Sequence, residues 1–254
     1  MGVHGFFYGR VKMGMRAILF GVGVSLVGAS AANAADFTGR GSLKDAPYVE
    51  VPWVWTGFYG GVTAGYGSGV SRNYVSANAN DPHGWANNDP SGVLLGGTIG
   101  YNYQFAPNWV MGAEADLSWS GMEGQQHLYI LDGHEWSGGW DGLATIRGRI
   151  GYAFGPTLLY GTGGLAMVHA NEVVVGNDAD ESNFYQGWKT GYVVGAGVEH
   201  AFTPRLSGKI EYLYADGFGS EAGPTGTVSQ HGNQNYIHEI GSIDIIRAGL
   251  NYKF

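Results

Sequence analysis

The chain contains no cysteine, and charged side chains occupy only 13% of its 254 positions. Without cysteine there is neither a disulfide framework nor a thiolate metal site. Charge at about half the level of an ordinary soluble domain argues against a plain water-facing surface. Bases are also in the minority, 13 Lys and Arg against 21 acids for a net charge of -8. Nucleic acid is thereby an unsuitable partner, because phosphate binding needs clustered cations. Heptads and any sustained helical period are missing too, which removes coiled coils and helical bundles from consideration.

What is present begins with an export pattern. Arg10, Lys12 and Arg16 precede the apolar run AILFGVGVSLVGASA, and Ala32-Asn33-Ala34 has the small-x-small form of a signal-peptidase site. The run is too short for a comfortable membrane helix and meets no stop-transfer pattern. Residues 1–34 are therefore read as a secretory signal, with Met13 or Met15 as a possible true start, and residues 35–54 as a flexible polar lead. Export leaves 10 bases against 21 acids, a net charge of -11.

From residue 55 onward the chain alternates apolar and polar residues with period two, the signature of strands with one oily face. Val93, Leu95, Ile99, Tyr101, Tyr103 and Phe105 share one face of their segment; Ile246, Ala248, Leu250, Tyr252 and Phe254 share one face of the last. Eight such runs can be marked, of which those from Trp55 to Gly69 and from Thr157 to Ala170 are blurred by glycine, and the latter receives no facing. Three connections are tight and alike, FAPNW, FGPTL and FTPRL, each with a proline that presets a turn. The other four, near 70–90, 121–138, 171–187 and 217–241, read as long polar loops. Tight and long connections alternate, so an up-and-down meander gathers every tight turn at one end.

The polar faces hold few but matched charges. Counted from the tight-turn end, Glu114, Asp116, Arg147, Arg149, Glu199, Lys209, Glu211 and Arg247 all lie about four to eight residues up their strands, four acids and four bases at one depth. A ring of that kind fits inside a closed barrel of eight strands, whose interior is just wide enough to be filled by side chains. The oily face then turns to lipid, with Trp109, Tyr152, Phe154, Phe202, Tyr252 and Phe254 as one aromatic girdle and Trp119 and Trp188 as the other. The expected fold is all-β, an eight-stranded antiparallel up-and-down transmembrane β-barrel over residues 55–254. A chain that stops on Phe254 is explained in the same way, since its last side chain sits in the girdle.

The signal ending ANAADF, the motif WTGFYGGVTAGYG, the stretch TGGLA and the terminal RAGLNYKF resemble the small outer-membrane surface-antigen family of alphaproteobacteria, relatives of the OmpA and OmpX barrels. The similarity spans essentially the whole chain after the signal. It implies residence in the outer membrane of a Gram-negative envelope, contact with lipid and lipopolysaccharide, and a C-terminal strand read by the barrel-assembly machinery through Leu250, Tyr252 and Phe254. Members of that family are often labelled porins.

Other chemistry is poorly supported. Gly161 to Ala166 matches G-x-G-x-x-A, with Asp178 and Asp180 following, but lies within a strand where small residues make room for large lumen neighbours. His134-Glu135 and His238-Glu239 lack the second histidine of a zinc-hydrolase motif. Five histidines (His83, His127, His134, His231, His238) fall in the predicted loops, which leaves haem or metal capture open as an alternative. Those loops hold eleven acids against one base, Arg72, which suits a solvated outer end and divalent cations shared with lipopolysaccharide. His169 and Ser182 are passing candidates for lipid hydrolysis. The reading is a non-enzymatic outer-membrane barrel without cofactor, a structural surface antigen with a filled lumen; the alternatives are a small diffusion porin, or a receptor or adhesin for haem or a host or envelope partner.

Overall fold

A computed structural model of the chain describes residues 53–78, 81–128, 134–175, 181–222 and 235–254. Ten strand segments follow one another: β1 (Gly57–Asn78), β2 (Asp81–Asn88), β3 (Ser91–Gln104), β4 (Trp109–Leu128), β5 (His134–Phe154), β6 (Thr157–Val175), β7 (Glu181–Ala201), β8 (Leu206–Asp216), β9 (Ser220–Ala222) and β10 (Asn235–Lys253). All pairings are antiparallel, and β1 joins β10 from Tyr59↔Lys253 to Ser76↔Asn235, so the sheet closes on itself. It is a barrel of eight staves, two of them interrupted. Pro90, which has no N–H to offer the ladder, separates β2 from β3; Gly217 and Gly219, at φ of 78° and 80°, separate β8 from β9. Through β1, β3 to β8 and β10 closure pairs each strand on both sides, the condition for crossing lipid as sheet.

The three proline turns join staves at one end. Their backbones are pinned by bonds such as Trp109 N–H to Ala106 carbonyl at 3.3 Å and Phe202 N–H to Leu206 carbonyl at 2.9 Å. Phe254 N–H bonds the Phe58 carbonyl at 3.0 Å at the seam of that end. From there the period-two pattern sorts side chains to two faces, as shown by the neighbours Ile246 at 59% exposure and Arg247 at 4%. Between the girdle residues Trp109 and Trp119 the outward face of β4 spans about 23 Å, for a rise of roughly 3.3 Å per residue and a tilt of about 45°, matching the apolar band of an outer-membrane barrel. The β6 stave, unreadable in the sequence, turns Leu158, Tyr160, Ala166, Val168 and Ala170 inward and Leu159 and Leu165 outward, so both its faces are apolar.

One expectation is corrected. The segments read as long loops carry strand at both ends, because the ladders continue to Asn78, Leu128 and Val175 on one side and resume at Asp81, His134, Glu181 and Asn235 on the other, with β9 in the last of them. Past the apolar band lipid no longer borders the outer face of a strand, so polar residues extend the sheet without the oily alternation that betrays it lower down. Seven of the eleven acids assigned to loops, Asp81, Glu123, Glu135, Glu172, Glu181, Glu221 and Glu239, stand on strands, and Asp89 lies between β2 and β3. Asp132, Asp178 and Asp180 lie outside the described residues.

Candidate functional site in the barrel lumen

The centre of the lumen is ionic. Glu114 and Asp116 on β4, Arg147 and Arg149 on β5, Glu199 on β7, Lys209 and Glu211 on β8 and Arg247 on β10 all point inward and are buried. Arg147 sits in the middle: its Nη2 donates to Glu114 and, at 2.9 Å, to Asp116, while Nη1 reaches Glu211 at 3.1 Å. Lys209 Nζ bonds Glu114 at 2.8 Å and Glu211 at 3.2 Å. Arg247 spans Asp116 at 2.9 Å and Glu211 at 2.7 Å. Arg149 joins Glu199 at 3.0 Å and approaches Glu114 at 3.7 Å, so all eight groups form one connected network. Four carboxylates balance four cations, the condition under which charge tolerates removal from water.

Neutral side chains complete the layer. Tyr59 O–H donates to Glu114 at 2.8 Å, Tyr160 O–H to Glu211 at 3.3 Å, Thr145 O–H to Asp116 at 2.5 Å, and Ser207 O–H to Glu199 at 2.6 Å. The Arg149 guanidinium lies between the rings of Tyr59 and Tyr160, 4.9 and 5.0 Å from their centroids. Those rings need flat neighbours: a Cβ at Gly100 would stand 2.3 Å from the Tyr59 hydroxyl, and one at Gly197 would stand 2.6 Å from that of Tyr160. In the TGGLA stretch a Cβ at Gly164 would lie 2.0 Å from the Ile146 carbonyl oxygen, so there it is the backbone of β5, and not a large lumen side chain, that the glycine accommodates. Gly161 and Gly163 face outward, where a Cβ would find nothing nearer than 3.9 and 3.6 Å.

Apolar material closes the lumen on both sides of the ions. At the tight-turn end Trp55 is buried among Val110, Ala153, Leu158, Tyr160 and Ala201, with Trp53 against the cluster. Its backbone N–H bonds the Gln104 side chain at 3.0 Å and its indole N–H the Gly155 carbonyl at 3.3 Å. The space left among Trp53, Trp55, Tyr59, Asn102, Glu199 and Ser207 is about 20 Å³, room for about one water. On the other side Leu94, Met122, Trp140, Leu143, Val168, Val193, Leu213, Phe218 and Ile243 form a second cluster. The indole of Trp140 crosses to β1, where a Cβ at Gly69 would come within 2.3 Å of it.

Sequence reasoning singled out the eight ions but not the two tryptophan stoppers: Trp55 continues the local alternation and carries no separate signal, and Trp140 is out of phase with the inward residues Leu143, Thr145 and Arg147 and faces the lumen only because the ladder shifts register beside it. Leu250, Tyr252 and Phe254 stand outward and exposed on β10, with the Tyr252 and Phe254 rings 5.6 Å apart. His83, His127, His134 and His238 occupy strand positions whose side chains lie outside the described residues, as does His231 altogether and the side chain of Ser182. His169 faces outward beside Asp141.

Comparison with known proteins agrees with this architecture. A family profile described as outer membrane protein beta-barrel domain matches residues 22–254. The 31 kDa outer-membrane immunogenic protein of Brucella melitensis is 31% identical over 220 residues, covering 79% of this chain and 84% of the relative. The 22 kDa outer membrane protein of Rhizobium leguminosarum bv. viciae is 36% identical over 178 residues, with 68% and 69% covered. Among solved structures, the outer membrane protein OprG of Pseudomonas aeruginosa shares the fold at a TM-score of 0.55 and 15% identity, over 78% of this chain and 96% of that one.

Proposed function

Since the chain belongs to the outer membrane protein beta-barrel family and resides in the outer membrane, we propose that it is a structural surface antigen with a sealed lumen, and neither a diffusion pore nor an enzyme. The observation that carries this reading is the neutral eight-ion network held between the Trp55 and Trp140 clusters. An ion entering from either side would have to displace packed rings and then break charge-assisted bonds that the lumen can replace with nothing equivalent. The names of the Brucella relatives as immunogenic proteins support a surface-facing role for the outer ends of the strands. Residues 1–34 serve as the export signal, and Leu250, Tyr252 and Phe254 are the part of the last strand read during assembly. Lipid and lipopolysaccharide are the standing partners of the exterior.

Conductance tests the sealed lumen. Refolded protein in a planar bilayer is expected to give silence or rare small events at moderate potentials. Stable, reproducible openings would make it a pore and end this reading.

A further inference from the structure

Trp119 and Trp188 stand exposed at the upper limit of the apolar band. At that height two neighbouring ladders lose register, β4–β5 between Trp119 and Met122 and β5–β6 between Trp140 and Gly142. Bulges at barrel rims re-aim side chains. Here Trp140 and Leu143 both point inward and are buried, so two residues instead of one stand between them, and the extra one, Asp141, is turned out of the barrel. Its carboxylate meets His169 Nδ1 at 2.5 Å, and the His169 ring packs on Trp188 with centroids 5.2 Å apart. Gly142 leaves space for that indole, since a Cβ there would lie 3.2 Å from it. Beside the pair opens a recess of about 380 Å³, lined by Trp119, Glu123, Asp141 and Asn171.

None of these groups belongs to the lumen network, and the Asp141 side chain is 51% exposed. We infer that the recess binds a sugar of an outer-leaflet glycolipid headgroup. Carboxylates accept from hydroxyls, the Asn171 amide both donates and accepts, and the C–H face of a pyranose lies well on an indole. The position suits this occupant, because headgroups begin where the aromatic girdle ends. Two carboxylates beside one imidazole disfavour a phosphate. A metal ion is disfavoured as well, since no cluster of three or more His, Asp or Glu side chains suited to a metal occurs among the described residues. The inference rests on the membrane-spanning fold but not on the sealed lumen, so conductance and sugar binding succeed or fail separately.

The full chain, refolded into phosphatidylcholine nanodiscs in EDTA, is titrated with purified lipopolysaccharide and followed by tryptophan emission and by ligand retained in native mass spectrometry. Saturable binding is expected. Asp141→Asn and Asn171→Ala should each weaken it roughly tenfold, the worth of a hydrogen bond to a charged or well-placed polar group. Ile246→Ala, outward on β10 on the far side of the barrel from β5, should leave it unchanged, and free glucosamine at high concentration should compete. Heat-modifiable gel mobility reports folding of each variant, and Asn171→Ala, at an exposed position, supplies the answer if Asp141→Asn does not fold. Binding equal to wild type in folded Asn171→Ala and Asp141→Asn, binding that requires added divalent cation, or equal competition by phosphatidylglycerol would each overturn the assignment.

Discussion

Arg147 and Arg149 differ by two positions on one strand, both fully inside, yet their removal should not cost the same. Arg147 touches three carboxylates, and each keeps another cation when it is gone: Glu114 keeps Lys209 at 2.8 Å, Asp116 keeps Arg247 at 2.9 Å, and Glu211 keeps Arg247 at 2.7 Å. Arg147→Ala therefore spreads one unbalanced charge over a network that remains connected. Breaking a buried pair costs about 3–5 kcal/mol, and this variant belongs near 3. Glu199 is placed differently. Apart from Arg149 at 3.0 Å, its partners among the described residues are the neutral donors Ser207 at 2.6 Å and Asn251 at 2.9 Å. Arg149→Ala strands a buried carboxylate and also removes the cation from between two tyrosine rings, worth about 0.5–2 kcal/mol each. A cost near 5 kcal/mol or above follows. The gap of about 2 kcal/mol is roughly thirtyfold in the unfolding equilibrium. Urea unfolding in lipid vesicles, followed by heat-modifiable mobility and tryptophan emission, measures it. Adding Glu199→Gln to Arg149→Ala should recover much of the loss, because neutrality is restored. Equal midpoints for the two single variants, or both within about 0.5 kcal/mol of wild type, would refute the network as described.

Two further outcomes can be stated. Gly164→Ala would bring a Cβ to 2.0 Å from the Ile146 carbonyl oxygen, so it should destabilise by about 1–3 kcal/mol in the same urea assay, whereas Gly148→Ala, outward with its nearest neighbour at 3.9 Å, should be neutral or slightly stabilising. Deleting Phe254 removes a seam bond to Phe58 and the terminal aromatic, and should lower the fraction of heat-modifiable, protease-resistant protein recovered from cells while refolding from urea into vesicles changes little; equal recovery would separate that residue from assembly.

Legibility in the sequence followed the surroundings of each stave. Strands such as β3, β4 and β10 were readable where lipid meets one face and the packed lumen the other, since this contrast imposes period two. The eight ions could be placed at one depth because tight proline turns set the register from which depth is counted. On β6 the cue failed: glycines at 161 and 163 face lipid while Leu158, Ala166 and Val168 face the lumen, which removes the contrast. Above the band, where lipid no longer borders the outer face, β1, β4, β5, β6, β7 and β10 run on as strand through sequence that looks like loop. Asp141 was missed for another reason. A bulge of one residue is decided by two partner strands together, and the residues that face it, Trp119 to Met122 on β4 and His169 and Ala170 on β6, are remote from Asp141 in sequence.

The partition of side chains between lipid and lumen underlies all of this, and the absence of native cysteine allows a clean measurement of it. Single cysteines at Leu117 and Ile246, on the outward face, and at Ser118 and Thr145, on the inward face, are labelled with a fluorophore in vesicles containing brominated lipid. The outward pair should label and be quenched by the bromine, and the inward pair should resist labelling until the barrel is unfolded. Quenching at Ser118 or Thr145 in the folded protein, or none at Leu117 and Ile246, would contradict the assignment of the two faces.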